Sequence, residues 1–182
     1  MDKNGSPVDR IIEALIFASP EPVSIGRIRE CIEGGEELDI DEMVNRLNEH
    51  YAENNRSFNI IKVAGGYQMV TLPEYERWVR RIIVGRGRLR LSHQALETLS
   101  IIAYRQPVSK PTMESIRGIN CDGVIKTLLE RDLITIKGRE NSAGRPSLYG
   151  TTREFLRYFG LDNLSDLPKL KEIEDIMGAI EG

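Results

Sequence analysis

The sequence predicts a mostly helical α+β fold with small β-hairpins, and two observations indicate that the unit occurs twice. The tripeptide Pro-Val-Ser occupies residues 22–24 and again 107–109, an offset of 85. At this offset apolar residues meet apolar residues, as in Phe17 with Ile102 and Ile28 with Met113. Each half also shows three helical patterns followed by two β-prone runs. That order is typical of tandem winged-helix domains. One mixed α+β domain is the alternative.

Helical spacing opens the first half. Five apolar residues form one stripe at i, i+3, i+4, i+7 and i+8: Val8, Ile11, Ile12, Leu15 and Ile16. Pro20 and Pro22 end this helix because proline lacks an amide hydrogen. Ser24 is a candidate N-cap for a second, short helix, and a third begins near Asp41. The predicted inner side of the third helix comprises Ile40, Val44, Leu47 and Tyr51.

A hairpin and a fourth helix complete the first half. Runs 58–63 and 67–71 are rich in β-branched and aromatic residues and flank Gly65-Gly66. This pattern predicts two strands joined by a glycine turn. Residues 74–84 return to helical spacing, with Trp78, Ile82 and Ile83 as apolar positions.

The second half repeats this order. Gly118 ends its second helix, and Asp122 is a candidate N-cap for its third. The predicted inner positions of the three helices are Leu96, Leu99, Ile102 and Ala103, then Met113 and Ile116, then Val124, Ile125, Leu128 and Leu129. Runs 133–136 and 147–149 predict strands around a polar loop, 138–146, and a short helix follows over 155–159.

Charge is spread unevenly. With 25 basic and 28 acidic residues among 182, the formal net charge is -3, which argues against a protein that coats nucleic acid by bulk electrostatics. The first third helix, 41–54, holds four carboxylates and one arginine, and the second, 122–132, is near neutral. Neither is predicted to read a DNA groove, because phosphates repel carboxylates. The loop at 138–146 is mildly basic and either contacts a nucleic-acid backbone or is solvated.

Six arginines and no acidic residue occur between residues 77 and 90. Five of them are candidate contacts to DNA or to an acidic partner: Arg80, Arg81, Arg86, Arg88 and Arg90. Planar guanidinium groups pair well with phosphate or carboxylate. The alternative is a solvated linker whose arginines pair with carboxylates of the first half.

The C-terminal segment has the opposite character. Between residues 161 and 182 six carboxylates accompany two lysines, and leucines recur every third residue from Leu161 to Leu170. Pro168 suits the first turn of a helix. Such an amphipathic segment is not stable alone in water. The leucines before Lys169 are expected to pack on their own domain, whereas the part beyond frays or binds a partner.

The residues point to no catalytic chemistry. His50 and His93 have no cysteine or carboxylate pattern beside them, and Gly144-Arg145-Pro146 lacks the Gly-Lys-Ser/Thr ending of a phosphate loop. Cys31 and Cys121 lie far apart and suggest reduced, partly buried thiols. The sequence therefore predicts no enzyme, no cofactor and no metal. The first residues match neither a secretory signal nor a membrane span, so a soluble, cytoplasmic protein is expected.

A series of motifs runs in order along the chain, strongly in the second half and more loosely in the first. They are Glu13-Ala14-Leu15-Ile16-Phe17-Ala18, Ala95-Leu96-Glu97-Thr98-Leu99, Ile102-Ala103-Tyr104-Arg105-Gln106-Pro107-Val108, Ile116-Arg117-Gly118, Asp122-Gly123-Val124, Thr127-Leu128-Leu129-Glu130-Arg131, Leu148-Tyr149-Gly150-Thr151-Thr152 and Asp166-Leu167-Pro168. Over roughly residues 8–168 the chain thereby resembles the bacterial segregation and condensation protein B family.

The resemblance implies a non-enzymatic subunit of the bacterial SMC condensin-like complex, which compacts and segregates chromosomes during cell division. It implies a homodimer that binds the kleisin subunit, segregation and condensation protein A, and through it the SMC ATPase at the nucleoid. The expected domains are 1–88 for dimerisation, with the arginine-rich linker, and 89–165 for kleisin binding. An acidic amphipathic tail, 166–182, follows.

Within this resemblance, four residues of the second half are candidate kleisin contacts: Tyr149, Tyr158, Leu164 and Leu167. Each is equally compatible with a place in the core. The rival hypothesis is a winged-helix DNA-binding transcription regulator. It requires the arginines and the second wing as phosphate contacts and predicts tight, steeply salt-dependent duplex binding. A free-standing dimerisation adaptor for another partner is a third possibility.

Overall fold

The computed structural model describes residues 8–83 and 91–169. The chain divides into two compact units, Met1–Arg88 and Leu89–Gly182. Each unit contains three helices, an antiparallel hairpin and a further helix. The predicted fold class, α+β with tandem winged helices, is confirmed.

The first unit follows the predicted order of elements. These are α1 (Val8–Ala18), α2 (Ile25–Glu30), α3 (Ile40–Glu53), β1 (Phe58–Val63), β2 (Gly66–Thr71) and α4 (Glu76–Ile83), with 3-10 turns at Gly35–Glu37 and Pro73–Tyr75. Ser24 caps α2 as predicted, because its side chain accepts a hydrogen bond from the Arg27 amide. Asp39 caps α3 in the same way through the Glu42 amide.

An apolar core holds the three helices against the hairpin. Its buried members are Ile12, Ile16, Ile28, Ile32, Ile40, Met43, Val44, Leu47, Tyr51, Ile60 and Tyr67. The predicted inner sides of α1 and α3 are thereby confirmed. Tyr51 also joins α3 to α1, since its hydroxyl donates a hydrogen bond to Glu13 Oε1 at 2.9 Å. Burial and this carboxylate both raise the pKa of the Tyr51 hydroxyl, so it remains a donor.

The hairpin turns at Ala64-Gly65, one residue before the predicted Gly65-Gly66. Both turn residues have positive φ, 51° for Ala64 and 71° for Gly65, as in the two-residue turns that match the twist of paired strands. Gly66 instead begins β2, where an added Cβ would lie 2.8 Å from the carbonyl carbon and oxygen of Val23. Glycine is required at 66 because another backbone passes close by.

That neighbouring backbone belongs to the first Pro-Val-Ser segment. The Val23 amide donates to the Tyr67 carbonyl at 2.9 Å, and the Tyr67 amide donates to the Val23 carbonyl at 2.8 Å. The two residues form an antiparallel bridge. The sequence patterns predicted only a helix end and a cap here and missed this pairing, because one residue is too short for a strand pattern.

The second unit has the same order with a fuller sheet. Its elements are α5 (His93–Arg105), β3 (Val108–Ser109), α6 (Lys110–Arg117), α7 (Asp122–Glu130), β4 (Ile134–Arg139), β5 (Ser147–Thr151) and α8 (Arg153–Phe159), with a 3-10 turn at Leu164–Asp166. The sheet order is β3-β5-β4, and both neighbouring pairs are antiparallel. Val108 of the second Pro-Val-Ser segment pairs with Tyr149, the counterpart of the Val23–Tyr67 bridge.

Several predictions for the second unit were wrong in detail. Leu96, Ile116 and Leu129 are exposed rather than inward. Asp122 is the first residue of α7 and not its cap. β4 continues through the predicted loop start to Arg139, with a register shift between Ile136 and Gly138. A bulge of this kind cannot be seen in a pattern of alternating residues.

The repeat does not keep one offset through the unit. The first helices end at 18 and 105, an offset of 87, whereas the second helices begin at 25 and 110, an offset of 85. At the offset of 87, the buried Ile12 and Ile16 of the first helix correspond to the buried Leu99 and Ala103 of α5. The pairing of Phe17 with Ile102 at offset 85 is therefore out of register, since the second unit has a shorter connection between helix and strand.

Buried polar contacts of the second unit use residues of the family-like motifs. The Gln106 side chain accepts from the Thr151 amide at 2.8 Å and donates to Thr151 Oγ1 at 3.0 Å, which ties the end of α5 to β5. Arg117, with its side chain only 4% exposed, donates to Thr98 Oγ1 at 2.9 Å and to Glu97 Oε2 at 2.6 Å. These contacts join α6 to α5. The motif residues therefore stabilise the fold.

In the first unit a polar cluster joins the hairpin to the start of α3. Tyr67 donates its hydroxyl hydrogen bond to Asp41 Oδ1, and Lys62 Nζ lies 3.1 Å from the same oxygen. The Lys62 ammonium also lies over the Tyr67 ring. The Tyr67 hydrogen bond and then Lys62 lower the pKa of the Asp41 carboxyl. Asp41 therefore stabilises the fold in its ionised form.

Gly66→Ala is expected to destabilise the chain by about 1–3 kcal/mol, because the new methyl group meets the Val23 backbone and cannot be relieved by a side-chain rotation. Gly26→Ala is the matched control, since nothing lies within 4 Å of its added Cβ. That change inside α2 is expected to stabilise by about 0.5–1 kcal/mol. Urea denaturation followed by circular dichroism measures both. Equal effects of the two changes would contradict the close approach.

Asp41→Asn is expected to lower the free energy of unfolding at neutral pH, and the deficit relative to the unmodified chain should vanish in acid. The sign follows from the lowered pKa of Asp41 in the folded state. Such a carboxylate stabilises the fold above its unfolded pKa, about 3.9, and that stabilisation is lost as the pH falls through the folded value. Urea denaturation from pH 7 to pH 2 measures it. A deficit that persists at the acid end would contradict this role.

Candidate protein-interaction surfaces

The third helices of both units present outward faces unsuited to DNA. The exposed side chains of α3 include Asp41, Glu42, Glu49 and Glu53, with Arg46 as the basic residue among them. On α7, Lys126 lies 3.9 Å from Glu130, and Asp122 pairs with Lys110. A recognition helix must bring positive or neutral donor groups close to phosphates. Neither helix offers such a face.

The second hairpin carries the exposed basic residues predicted for it. Lys137, Arg139 and Arg145 are all exposed. Arg139 Nη1 lies 3.4 Å from the Arg145 carbonyl, and Arg145 has a positive φ of 41° at the tip. Three exposed cations on one wing can contact a polyanion backbone but carry no base-reading geometry.

Tyr158 and Leu164 lie at the surface of the second unit. Both are partly exposed, Tyr158 on α8 and Leu164 in the 3-10 turn. The Tyr158 ring meets that of Phe159 edge to face at 5.1 Å, and Phe159 in turn contacts the buried Phe155 at 4.9 Å. The aromatic residues of α8 thus extend from the core to the surface, as a protein-binding anchor requires.

Tyr149 and Leu167 have a different environment. Both are half-buried and pack against the core of the second unit. Leu161 packs there as well, and Pro168 accepts a 2.7 Å hydrogen bond from the Tyr104 hydroxyl of α5. The expectation that leucines before Lys169 pack on their own domain holds for Leu161 and Leu167 but is wrong for Leu164, which is exposed. The remainder of the 166–182 tail, from residue 170 onward, lies outside the described residues.

Arg80 and Arg81 lie on α4, and both are exposed. Arg80 forms an ion pair with Glu76 one turn earlier, so its charge is partly compensated. Arg77, Arg80 and Arg81 line one shallow depression with Glu76. Arg86, Arg88 and Arg90 lie outside the described residues.

The first unit has two exposed apolar features whose exposure the sequence patterns did not predict. On α4, Trp78 is 58% exposed and Ile82 is 85% exposed. Phe17, at the end of α1, is 76% exposed and borders a groove of about 580 Å³ between α1 and the hairpin. The sequence does contain a pattern that predicts the exposure of Phe17. Phe17 directly follows the buried Ile16, so it lies about 100° around the helix from the buried stripe.

The described side chains that could bind a metal ion or react chemically do not form a cluster. Among the described residues no group of three His, Cys, Asp or Glu side chains is placed to hold a metal ion. Cys121 is fully buried in the second core, whereas Cys31 is exposed and not partly buried as predicted. Over the same described ranges, no helix is long and apolar enough to cross a membrane.

Comparison with known proteins matches nearly the whole chain to one family. The family model described as segregation and condensation complex subunit ScpB covers residues 10–170. Segregation and condensation protein B of Symbiobacterium thermophilum is 50% identical over 161 residues, which is 88% of this chain and 73% of that protein. The protein of the same name from Syntrophotalea carbinolica is 43% identical over 91% of this chain and 83% of its own.

A solved structure of a conserved hypothetical protein from Chlorobium tepidum also aligns. It is 40% identical, covers 85% of this chain and 96% of its own, and has a TM-score of 0.41. The family assignment rests on the sequence matches, and the family model, over residues 10–170, reaches into both units. The chain belongs to the segregation and condensation protein B family, whose members are subunits of the segregation and condensation complex.

Proposed function

We propose that this subunit is a non-enzymatic adaptor of the bacterial SMC condensin-like complex. It homodimerises through its first winged-helix domain, residues 1–88, and binds the kleisin subunit, segregation and condensation protein A, through its second, residues 89–165. Through the kleisin it joins the SMC ATPase at the nucleoid in the cytoplasm. The dimer thereby supports chromosome condensation and segregation during cell division.

The observation that supports the proposal is the distribution of charged and apolar side chains on the exposed surface. Winged helices that read DNA use the outward face of the third helix, and here that face is acidic on α3 and charge-paired on α7. Large apolar side chains are exposed at many positions of both units, among them positions on α1, α4, α8 and the 3-10 turn that follows α8. Exposed aromatic and aliphatic groups of this kind favour a protein partner.

The kleisin contact is proposed at α8 and the 3-10 turn that follows. Tyr158 and Leu164 are the direct anchors because they are exposed, whereas Tyr149 and Leu167 are half-buried against the core of the second unit and contribute through their exposed parts. An extended or helical kleisin segment would place apolar side chains against these anchors. Holding that segment stiffens the bridge between the two SMC heads.

Tyr158→Ser and Leu164→Ser are each expected to weaken kleisin binding at least about tenfold, because each removes a partly exposed apolar anchor that complex formation would bury. Isothermal titration calorimetry with the purified kleisin measures the change. Ile119→Ser is the matched control, since Ile119 is equally exposed but lies between α6 and α7.

The control variant should bind like the unmodified chain. Unchanged affinity in both anchor variants, with circular dichroism showing the fold intact, would remove the kleisin site from this surface. Loss of kleisin binding in the Ile119 variant alone would instead place the kleisin site at the connection between α6 and α7.

Direct DNA binding is expected to be weak and independent of sequence. If the five arginines contact phosphates, the slope of log K against log salt is at most about -4.5. Replacing Arg80, Arg81, Arg86, Arg88 and Arg90 with glutamine should reduce the magnitude of the slope by up to about 4.5, because any contacts of the second hairpin remain. Fluorescence anisotropy of labelled duplexes from low to physiological salt measures it. Tight, sequence-selective binding at physiological salt would instead favour the transcription-regulator hypothesis.

A further inference from the structure

Helix α4 has an apolar side that stays exposed over the described residues of the first unit. Trp78 and Ile82 are four residues apart, so they lie on the same side of the helix. They are 58% and 85% exposed, respectively. Exposing both a tryptophan and an isoleucine on one short helix is costly in water. Single exposed apolar residues are common, but a pair aligned on one helix indicates a partner surface.

Over its described residues, the same unit also has an open groove between α1 and the hairpin. Ala14 and Phe17 of α1 form one wall, and Phe58 and Met69 of the hairpin form the other. The groove measures about 580 Å³, within the range of pockets that receive apolar ligands or side chains. Phe17 stands at its edge with most of its ring in solvent.

The second unit shows how such a fold covers itself. One residue, Thr152, separates its hairpin from α8, and Phe155 of α8 lies in the core at 2% exposure. In the first unit four residues, 72–75, separate β2 from α4. Over the described residues α4 contributes no buried side chain to the core of the first unit. The helix after the hairpin is thus inserted in one copy of the fold and left outward in the other.

Charge favours a second copy as the occupant of the groove. Residues 8–75 contain 13 acidic and 6 basic side chains, a net charge of -7, whereas α4 contains three arginines and one glutamate. A basic amphipathic helix is attracted to an acidic body that offers an apolar groove. The basic helix α4 and the apolar groove both lie on the first unit. Two copies related by one two-fold axis can therefore each place α4 in the groove of the other.

We propose that two copies exchange α4 reciprocally. Trp78 and Ile82 of each copy enter the groove between α1 and the hairpin of the other, against Phe17, Phe58 and Met69. This inference rests on the proposed homodimer and names the surface that forms it. The resulting interface is isologous but consists of two separate, identical contacts, each made by a helix of one copy and a groove of its partner.

The test uses the full chain with Phe17→Asp in the groove or Trp78→Asp on the helix. Each variant alone is expected to raise the dimer dissociation constant at least about 100-fold, because a carboxylate would be buried in an apolar contact. An equimolar mixture of the two variants restores one unmodified contact, between the helix of the Phe17→Asp chain and the groove of the Trp78→Asp chain. The mixture should therefore form heterodimers, which light scattering and energy transfer between labelled chains detect.

Ile116→Asp is the matched control, since Ile116 is exposed on α6 of the second unit, and it should dimerise like the unmodified chain. If only Trp78→Asp disrupts the dimer, so that Phe17→Asp chains still form homodimers, α4 pairs with α4 and the exchange is wrong. If Phe17→Asp alone disrupts the dimer, the groove meets another surface and the exchange is again wrong. If both variants are monomeric and their mixture forms no heterodimer, the exchange is also wrong.

The outcomes also separate this inference from the proposed function. If the chain is dimeric and neither substitution changes its dimer dissociation constant, the proposed homodimer stands and only the α4 exchange is wrong. A chain that is monomeric at about 10 µM overturns the homodimer, and the exchange with it. Kleisin titration of the same two variants reports on the second unit independently, and it should be unaffected.

Discussion

Each unit depends on one antiparallel pairing between the Pro-Val-Ser segment and the returning strand of its hairpin. Val23 pairs with Tyr67, and Val108 pairs with Tyr149. The segment lies between the first two helices, so these backbone hydrogen bonds attach the helical layer to the hairpin across more than 40 residues of chain. With the pairing in place, α2 and α6 begin directly after it. Gly66 is glycine because of this approach.

The motifs that mark the family are used mainly inside the fold. Gln106 forms hydrogen bonds with Thr151, and Arg117 donates hydrogen bonds to Glu97 and Thr98. A buried polar group without a partner destabilises a protein, so these residues are constrained together. The surfaces available to partners therefore lie elsewhere, among side chains that the fold does not need.

Those surfaces differ between the two copies although the fold is the same. In the second unit, α8 places Phe155 in the core and leaves Tyr158 outside. In the first unit, α4 leaves Trp78 and Ile82 outside and the groove beside Phe17 open. The same fold thus occurs twice with its last helix packed differently, and the two copies expose unlike apolar surfaces. Because the third helices are acidic or charge-paired, both surfaces favour proteins over DNA.

The sequence alone determined the fold class, the caps at Ser24 and the inner sides of α1 and α3, because helical spacing and capping depend on neighbours within a few residues. It did not determine the Val23–Tyr67 bridge, which residues of α5 face the core, or the exposure of Leu96. Those depend on which distant backbone lies nearby and on a two-residue difference in one connection. Tyr149 and Tyr158 look alike in the sequence. Only tertiary packing makes one a support within the core and the other a surface group, since burial is set by residues far apart in the chain.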